Sequence, residues 1–199
     1  AVNTIKNEEG IFKARNTDAM GARVALVNKG FQINNKNILI LGAGGAARAI
    51  SFSLAKECNE IIIANRTLKG AEKLVMDLRQ KMNCNSKSIK FDPKIIKKEL
   101  DAVDLLVNAT PIGMFPKTDK SPLPKEILHE HLFVFDLIYN PYSTKFLSEA
   151  KGLGCQTLNG LDMLINQGAV AFEWWTTLKA DKELMKTKVM EALNQDVRP

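Results

Sequence analysis

The sequence has no apolar run long enough to cross a membrane. Stretches such as Ile61–Ala64 and Leu105–Val107 fall far short of the roughly 20 residues a helical span requires, and no charged, apolar, small-residue leader opens the chain. A cytoplasmic protein without membrane association is expected. Cysteine is scarce. Cys58, Cys84 and Cys155 are widely and unevenly spaced, which excludes a CxxC metal knuckle or a disulfide framework built from sequence neighbours, so reduced thiols are expected. Histidine is scarcer still: His129 and His131 lie in a polar stretch without metal-ligand companions and read as solvated residues, so no metal is expected. The excess of basic residues, 28 Lys and Arg against 22 Asp and Glu, is scattered, and no basic run alternates with aromatics to form a stacking platform for nucleic acid. An anionic small-molecule ligand accounts for the excess equally well. The chain has no internal repeat or low-complexity tract.

What is present is a chain of 199 residues, 45% of them apolar, enough to bury one substantial core. It begins "AVNTIKNEEGIFKARNTDAMG", without Met and in what reads as a strand. Val2 and Ile5 belong to that strand, "NEEG" to a turn, and Ile11-Phe12 to a second strand. Asn16, Thr17 and Asp18 are all capping types, and a helix with apolar Met20, Val24 and Val27 is expected to start beside Asp18. From residue 37 extended apolar runs alternate with amphipathic stretches, the pattern of right-handed βαβ crossovers. Strands are expected near 37–41, 60–64, 87–91, 103–108, 133–137 and 154–158. Helices are expected near 45–57, 69–82, 93–100 and 143–152. Four prolines make 111–126 largely loop. Two helices should close the chain: 161–179, with Leu161, Leu164, Ile165, Phe172 and Trp175 on an apolar side, and about 181–194. The fold class is therefore α/β, a doubly wound, mainly parallel six-stranded sheet of Rossmann type.

The strongest chemical signal is Gly42-Ala43-Gly44-Gly45-Ala46-Ala47, a GxGxxA placed directly between an apolar strand and a helix. Gly42 permits the tight turn, Gly44 lets backbone approach a pyrophosphate, and Ala47 allows close helix packing, so that N–H groups of the loop and the helix dipole meet an anion. That context favours nucleotide binding over a purely structural turn. The second strand ends in Asn65-Arg66-Thr67 where an NAD-binding unit would place an Asp or Glu for the ribose 2′-hydroxyl. A guanidinium and a hydroxyl suit a 2′-phosphate instead. Charge-assisted hydrogen bonds of about 1.5–3 kcal/mol correspond to roughly tenfold to a hundredfold preference for NADP. The bland alternative is that Arg66 is an exposed loop cation.

The blocks "NTDAMG", "GAGGAARA", "ANRT", "NATPIGM", "DLIYNP" and "GLDMLINQGAVAFEWW" occur in the order seen in shikimate dehydrogenases, and the resemblance spans nearly the whole chain. It implies an NADP-dependent oxidoreductase of the shikimate pathway of aromatic amino acid synthesis, reducing 3-dehydroshikimate to shikimate in a cleft between a substrate domain and a cofactor domain. Asp18 resembles the aspartate of a catalytic Lys/Asp pair, and Asn3 a ligand of substrate hydroxyls, although Asp18 could simply cap its helix. Tyr139, just past a strand end, and Gln167, on the same helix side as Met163 and Trp174, resemble substrate ligands. Packing on Pro141 would also explain Tyr139. Leu137, Gly160 and Met163 resemble residues around the nicotinamide, where Gly160 could equally be a helix-start glycine and Met163 core filling. Thr110 and Pro111 resemble the segment beneath the cofactor. The cofactor set is thus Gly42, Ala43, Gly44, Gly45, Ala46, Asn65, Arg66, Thr67, Thr110, Leu137, Gly160 and Met163.

No position matches the lysine of the pair; Lys6 and Lys13 are not in its motif. Ala14-Arg15 also departs from the glycine usual before the "NTD" block. Residues 1–19 and 161–199 are accordingly expected to be the remnant of a substrate domain beside a cofactor domain of 20–160. Phe172, Trp174 and Trp175 should be underburied. A related quinate-type dehydrogenase or a non-catalytic NADP-binding module remain open, as does a homodimer. The expected outcome for the purified chain is NADP binding with poor or absent reduction of dehydroshikimate; robust turnover by a sample of confirmed intact mass contradicts it.

Overall fold

A computed structural model describes residues 2–195. Strands β1 (Thr4–Glu8) and β2 (Ile11–Arg15) form an antiparallel hairpin pairing Thr4 with Arg15. Asn7 Oδ1 accepts the Gly10 N–H at 2.9 Å across its turn, as the turn residues foretold. Helix α1 (Asp18–Asn28) follows. The alternating part then runs β3 (Asn37–Leu41), α2 (Gly45–Leu54), β4 (Glu60–Asn65), α3 (Leu68–Met82), β5 (Ser86–Lys90), α4 (Pro93–Leu100), β6 (Leu105–Asn108), β7 (Phe133–Asp136), α5 (Lys145–Gly152) and β8 (Gln156–Leu158). Helices α6 (Gly160–Thr176) and α7 (Lys182–Gln195) close it. Residues 109–124 are irregular, with a single 3₁₀ turn at Lys125–Ile127. No described helix is long and apolar enough to cross a membrane.

The six strands are all parallel in the order β5-β4-β3-β6-β7-β8, the doubly wound arrangement whose strand order reverses between β3 and β6. Both faces are covered, which is why the strands are near-continuous apolar runs. Within each run the period of two sorts side chains between the layers. Ile38, Ile40, Ile61 and Ile63 join Leu26 of α1, Ile50 and Leu54 of α2 and Leu74 and Leu78 of α3 in one buried cluster. Leu39, Leu41, Ile62 and Leu106 join Ile96 and Leu100 of α4 and Phe146 and Leu147 of α5 in the other.

Expected element ends agree within about three residues, and the larger differences concern which helix faces are buried. Helix α1 buries Gly21, Ala22, Ala25 and Leu26, while Met20 and Val27 stay exposed. The cause is its close approach to α6: a Cβ on Gly21 would lie 2.7 Å from Met163 O and 2.8 Å from Gln167 Cβ. Small residues, not large ones, make that contact. Helix α6 ends at Thr176, where Thr177 adopts a left-handed φ of 62°. It buries Leu161, Met163, Ile165, Ala169 and Ala171 but leaves Phe172 and Trp175, nearer its C-terminal end, exposed. The two tryptophans of its last turn meet the hairpin. The Arg15 guanidinium stacks 4.5 Å above the half-buried Trp174 ring, and Trp175 Nε1 donates to Ile5 O at 2.9 Å.

Substituting Gly21→Ala is therefore expected to lower stability by about 1–3 kcal/mol through overpacking, whereas Gly152→Ala, whose added Cβ meets nothing within 4 Å, should leave it unchanged or slightly raised. Urea unfolding midpoints of the two variants check this.

Candidate functional site

The site assembles along the carboxyl edge of the sheet, where loops leave β3, β4, β6 and β7. The Gly42 N–H donates to Ala64 O at 2.7 Å, and its φ of 107° lies in the left-handed region. A Cβ there would also come within 3.0 Å of Ala109 O. Glycine thus lets the turn press against the exit of β6 at the point where the strand order reverses. Gly44 is the N-cap of α2. Added Cβ atoms at Gly44 and Gly45 would meet nothing within 4 Å, so the loop's outer face is open. Among the described residues the Ala43 and Gly44 N–H groups donate to no acceptor, and the first turn of α2 holds no acid. Ala47 is fully buried, bringing the helix close to the sheet. These features fit a pyrophosphate.

At the exit of β4, Asn65 turns back on its own loop: its Nδ2 donates to Thr67 O at 2.9 Å. A Cβ at Gly70 would lie 2.9 Å from that same nitrogen, so a side chain there would require the Asn65 amide to shift. Thr67 is the N-cap of α3, yet its hydroxyl makes no capping bond and stays available. Arg66 is exposed, and among the described residues its guanidinium enters no ion pair. The first turn of α3 carries no acid. A dianion is thus offered a cation, a hydroxyl and a helix N-terminus, with no carboxylate in the first turn.

The ends of β6 and β7 hold a buried polar network. Asn108 and Asp136 are register partners, and Asn108 Nδ2 donates to Asp136 Oδ1 at 3.0 Å. The other carboxylate oxygen accepts the Thr144 hydroxyl at 2.7 Å, and the Ile138 N–H reaches Oδ1 at 3.2 Å. Thr144 caps α5 by accepting the Leu147 N–H. Burial pushes the Asp136 carboxyl up to about 6, against the opposing hydrogen bonds from Thr144, Ile138 and Asn108. Asn108 Oδ1 in turn accepts the Thr110 hydroxyl at 2.7 Å and the Thr110 N–H at 3.1 Å. The Thr110 hydroxyl is therefore committed to holding its loop. Sequence reasoning did not single out Asn108, Asp136 and Thr144; the available signal was one polar residue ending each of two adjacent apolar strands.

Beside this network lies a cleft of about 390 Å³ lined by Ala46, Thr110, Met114, Phe115, Leu137 and Tyr139 among others. Tyr139 stands exposed at it rather than packed away. Gly160, the first residue of α6, is backed onto the chain leaving β7: a Cβ would fall 2.0 Å from Leu137 O, and its N–H donates to Ile138 O at 3.0 Å. Met163, one turn on, is buried in the core cluster against which Leu137 packs.

A second polar cluster sits where the hairpin meets α6. Asn3 Oδ1 accepts the Thr17 N–H at 2.8 Å, Asn3 Nδ2 donates to Thr17 Oγ1 at 3.0 Å, and the Thr17 hydroxyl donates to Gln167 Oε1 at 3.1 Å. Asp18 adjoins this cluster at the start of α1. It is not the cap: Asn16 Oδ1 accepts the Ala19 N–H at 3.0 Å in that role, and among the described residues no hydrogen bond or ion pair engages the Asp18 carboxylate. One expectation is corrected. His129 is not solvated; its Nε2 bonds Leu100 O at 3.0 Å and its Nδ1 is buried without a partner, because 128–132 packs down on the end of α4. His131 is exposed.

The profile of the family "Shikimate / quinate 5-dehydrogenase" matches residues 25–137, and that of the "Shikimate 5'-dehydrogenase C-terminal domain" matches 160–190. A shikimate dehydrogenase (NADP(+)) of Methanocaldococcus jannaschii is 48% identical over 197 residues, covering 98% of this chain and 69% of the relative. A crystal structure of a shikimate dehydrogenase in complex with NADP+ superposes with a TM-score of 0.89 at 46% identity, over 97% of this chain and 67% of that one. A quinate dehydrogenase from Corynebacterium glutamicum in complex with NAD gives a TM-score of 0.88 at 27% identity, over 96% and 68%.

The Asp136 network yields a pH prediction. A carboxyl whose folded pKa is raised from the model-compound 3.8 to about 6 binds its proton more tightly in the folded state, so its stabilising contribution is whole below pH 3.8 and lost as pH rises to about 6. Asp136→Asn cannot ionise. Its stability relative to the parent should climb by up to about 3 kcal/mol between pH 4 and 6.5 and then level off, as read from denaturant melts of both proteins across that range.

Proposed function

The chain belongs to the shikimate dehydrogenase family, and from that premise we propose that it serves the NADP(H)-linked interconversion of 3-dehydroshikimate and shikimate, with turnover by these 199 residues on their own poor because no position matches the lysine of the catalytic pair. The observation that carries this is the course of α6. Its first residues, Gly160 and Met163, back the cleft beside Leu137, and Gln167, one turn further, joins the polar cluster of Asn3 and Thr17. One rigid helix thus ties a cofactor cleft to a set of hydrogen-bonding groups suited to a polyhydroxylated acid.

When bound, NADPH supplies the hydride. The chain's own residues do the rest. Gly42 shapes the turn, its own N–H bound by Ala64 O, and loop N–H groups from Ala43 to Ala46 would hold the pyrophosphate. Arg66, the Thr67 hydroxyl and Asn65 hold the 2′-phosphate. Leu137, Gly160 and Met163 wall the nicotinamide, and Thr110 keeps its loop beneath it. Asn3, Gln167 and Tyr139 orient substrate hydroxyls and carboxylate. Asp18, released from capping by Asn16, holds or passes a proton at a substrate hydroxyl as the carbonyl becomes an alkoxide. In this reading residues 1–19 and 161–199 serve the substrate and 20–160 the cofactor, with α1 crossing the boundary; residues 1 and 196–199 lie outside the described residues. We assign the enzyme to the cytoplasm, in aromatic amino acid synthesis, and leave homodimer formation to measurement. The quinate alternative draws on the likeness to the Corynebacterium enzyme; NADPH oxidation with dehydroshikimate, dehydroquinate and no substrate separates it from the main reading and from a non-catalytic module.

For the cofactor, Arg66→Ala is expected to weaken NADPH binding tenfold to a hundredfold while leaving NADH binding unchanged, as measured by fluorescence titration. Unaltered NADPH affinity would remove the 2′-phosphate assignment.

A further inference from the structure

The exit of β4 is not the only strand end near the proposed 2′-phosphate position. β5 pairs in parallel with β4, and the last rung of that ladder sets Lys90 opposite Asn65. The Phe91 N–H then donates to Asn65 O at 3.0 Å, which pins the two chain exits together. Neighbouring strands lie about 4.8 Å apart, so the Lys90 backbone sits one strand spacing from the residue that precedes Arg66.

The side on which Lys90 emerges follows from the alternation of β5. Lys87 pairs with Glu99 of α4 at 2.9 Å, and Ile89 and Phe91 pack against the apolar cluster beneath α4. Ser88 and Lys90 are out of phase with them and pair with Ile63 and Asn65 of β4; Ile63 belongs to the buried cluster beneath α2 and α3, so both turn to that opposite layer. Lys90 therefore lies on the α3 side of the sheet and at its carboxyl edge. That is where α3 begins and where the unspent Thr67 hydroxyl stands.

Its charge is not consumed elsewhere. Lys90 is exposed, and among the described residues no carboxylate lies within 4.0 Å of its ammonium; Glu72, the acid on that face of α3, is not in an ion pair with it. By contrast Lys87, three residues earlier, is spent on Glu60 and Glu99. Position 70 carries no side chain; α3 has exposed Lys69 and Lys73 in its first two turns, and Lys90 brings a further cation to the same edge from the neighbouring strand.

We propose that Lys90 is a second cation of the 2′-phosphate site, a cofactor-specificity residue contributed by β5, so that the phosphate is gripped from two strands by a guanidinium and an ammonium. This rests on the reading of the chain as an NADP enzyme. An ammonium is a point charge on a flexible stem, so Lys90 adds attraction where Arg66 adds directed hydrogen bonds. The expected effect is that of one exposed charge pair.

The test measures NADPH and NADH affinities by titration at low and high salt for the parent chain, Arg66→Ala, Lys90→Gln, Lys90→Arg and the double variant Arg66→Ala/Lys90→Gln. Lys90→Gln should weaken NADPH about fivefold at low salt, flatten its salt dependence, and leave NADH unchanged. Lys90→Arg should restore NADPH binding, and the double variant should fall below either single one. If Arg66→Ala weakens NADPH but Lys90→Gln does not, the role of Lys90 is overturned and the 2′-phosphate site stands. If neither does, that site itself is misplaced. Equal loss of NADPH and NADH in Lys90→Gln would overturn the proposal as well, because the residue would then not read the phosphate.

Discussion

The groups that link the cofactor cleft to the polar cluster of Asn3 and Thr17 are positioned from one close contact, the start of α6 against the chain leaving β7. At Gly160 a side chain has no room, with Leu137 O only 2.0 Å from where its Cβ would be, and the Gly160 N–H is bound by Ile138 O. This fixes the origin and direction of a 17-residue helix. Met163 and Gln167 follow three and seven residues on and so share a side. The second close approach, at Gly21, docks α1 on that same stretch of α6 and with it Thr17 and Asp18. Two glycines thus relay the geometry of the sheet edge to groups that touch no strand of the sheet.

The polar network of Asn108, Asp136 and Thr144 is the counterpart within the sheet. A fully buried carboxylate is costly unless its oxygens are satisfied, and here both oxygens have donors. What the network secures is order. It ties the loop after β6, the chain after β7 and the cap of α5 to one carboxylate, and these segments supply Thr110, Leu137 and Tyr139 to the cleft. The raised Asp136 pKa is the remaining cost of that arrangement, and rigid support of a cleft is its return.

The sheet was legible because its signals are local. Apolar runs of four or five residues separated by amphipathic stretches force parallel strands and crossover helices, and the glycine loop marks the first crossover. The exit of β4 was legible for the same reason, since one absent carboxylate can be read from three letters. What the sequence concealed depends on partners distant in the chain. That α1 buries Ala22 and Ala25 rather than Met20 and Val27 follows from α6, some 140 residues away. That His129 is half-buried follows from where α4 ends. Asn16 displaces Asp18 as the capping residue although both are capping types, and only the backbone decides between them.

The hairpin completes the picture because it is held differently from the rest. Its exposed Ile5, Ile11 and Phe12 show that apolar burial contributes little, and its attachments to α6 are a stacked cation, an indole hydrogen bond and the Asn3–Thr17–Gln167 links. Such contacts contribute about 0.5–1.5 kcal/mol each, against the far larger burial beneath α2 and α3. Segments with few buried apolar contacts open at lower free energy than the core. Asn3, one of the groups proposed to meet the substrate, therefore sits beside the least firmly held part of the described structure, whereas Asp18 and Gln167 are carried by helices packed on the sheet. In the proposed reading, a substrate held by Asn3 and Gln167 would bridge the hairpin to α6 and so couple its own binding to ordering of the hairpin.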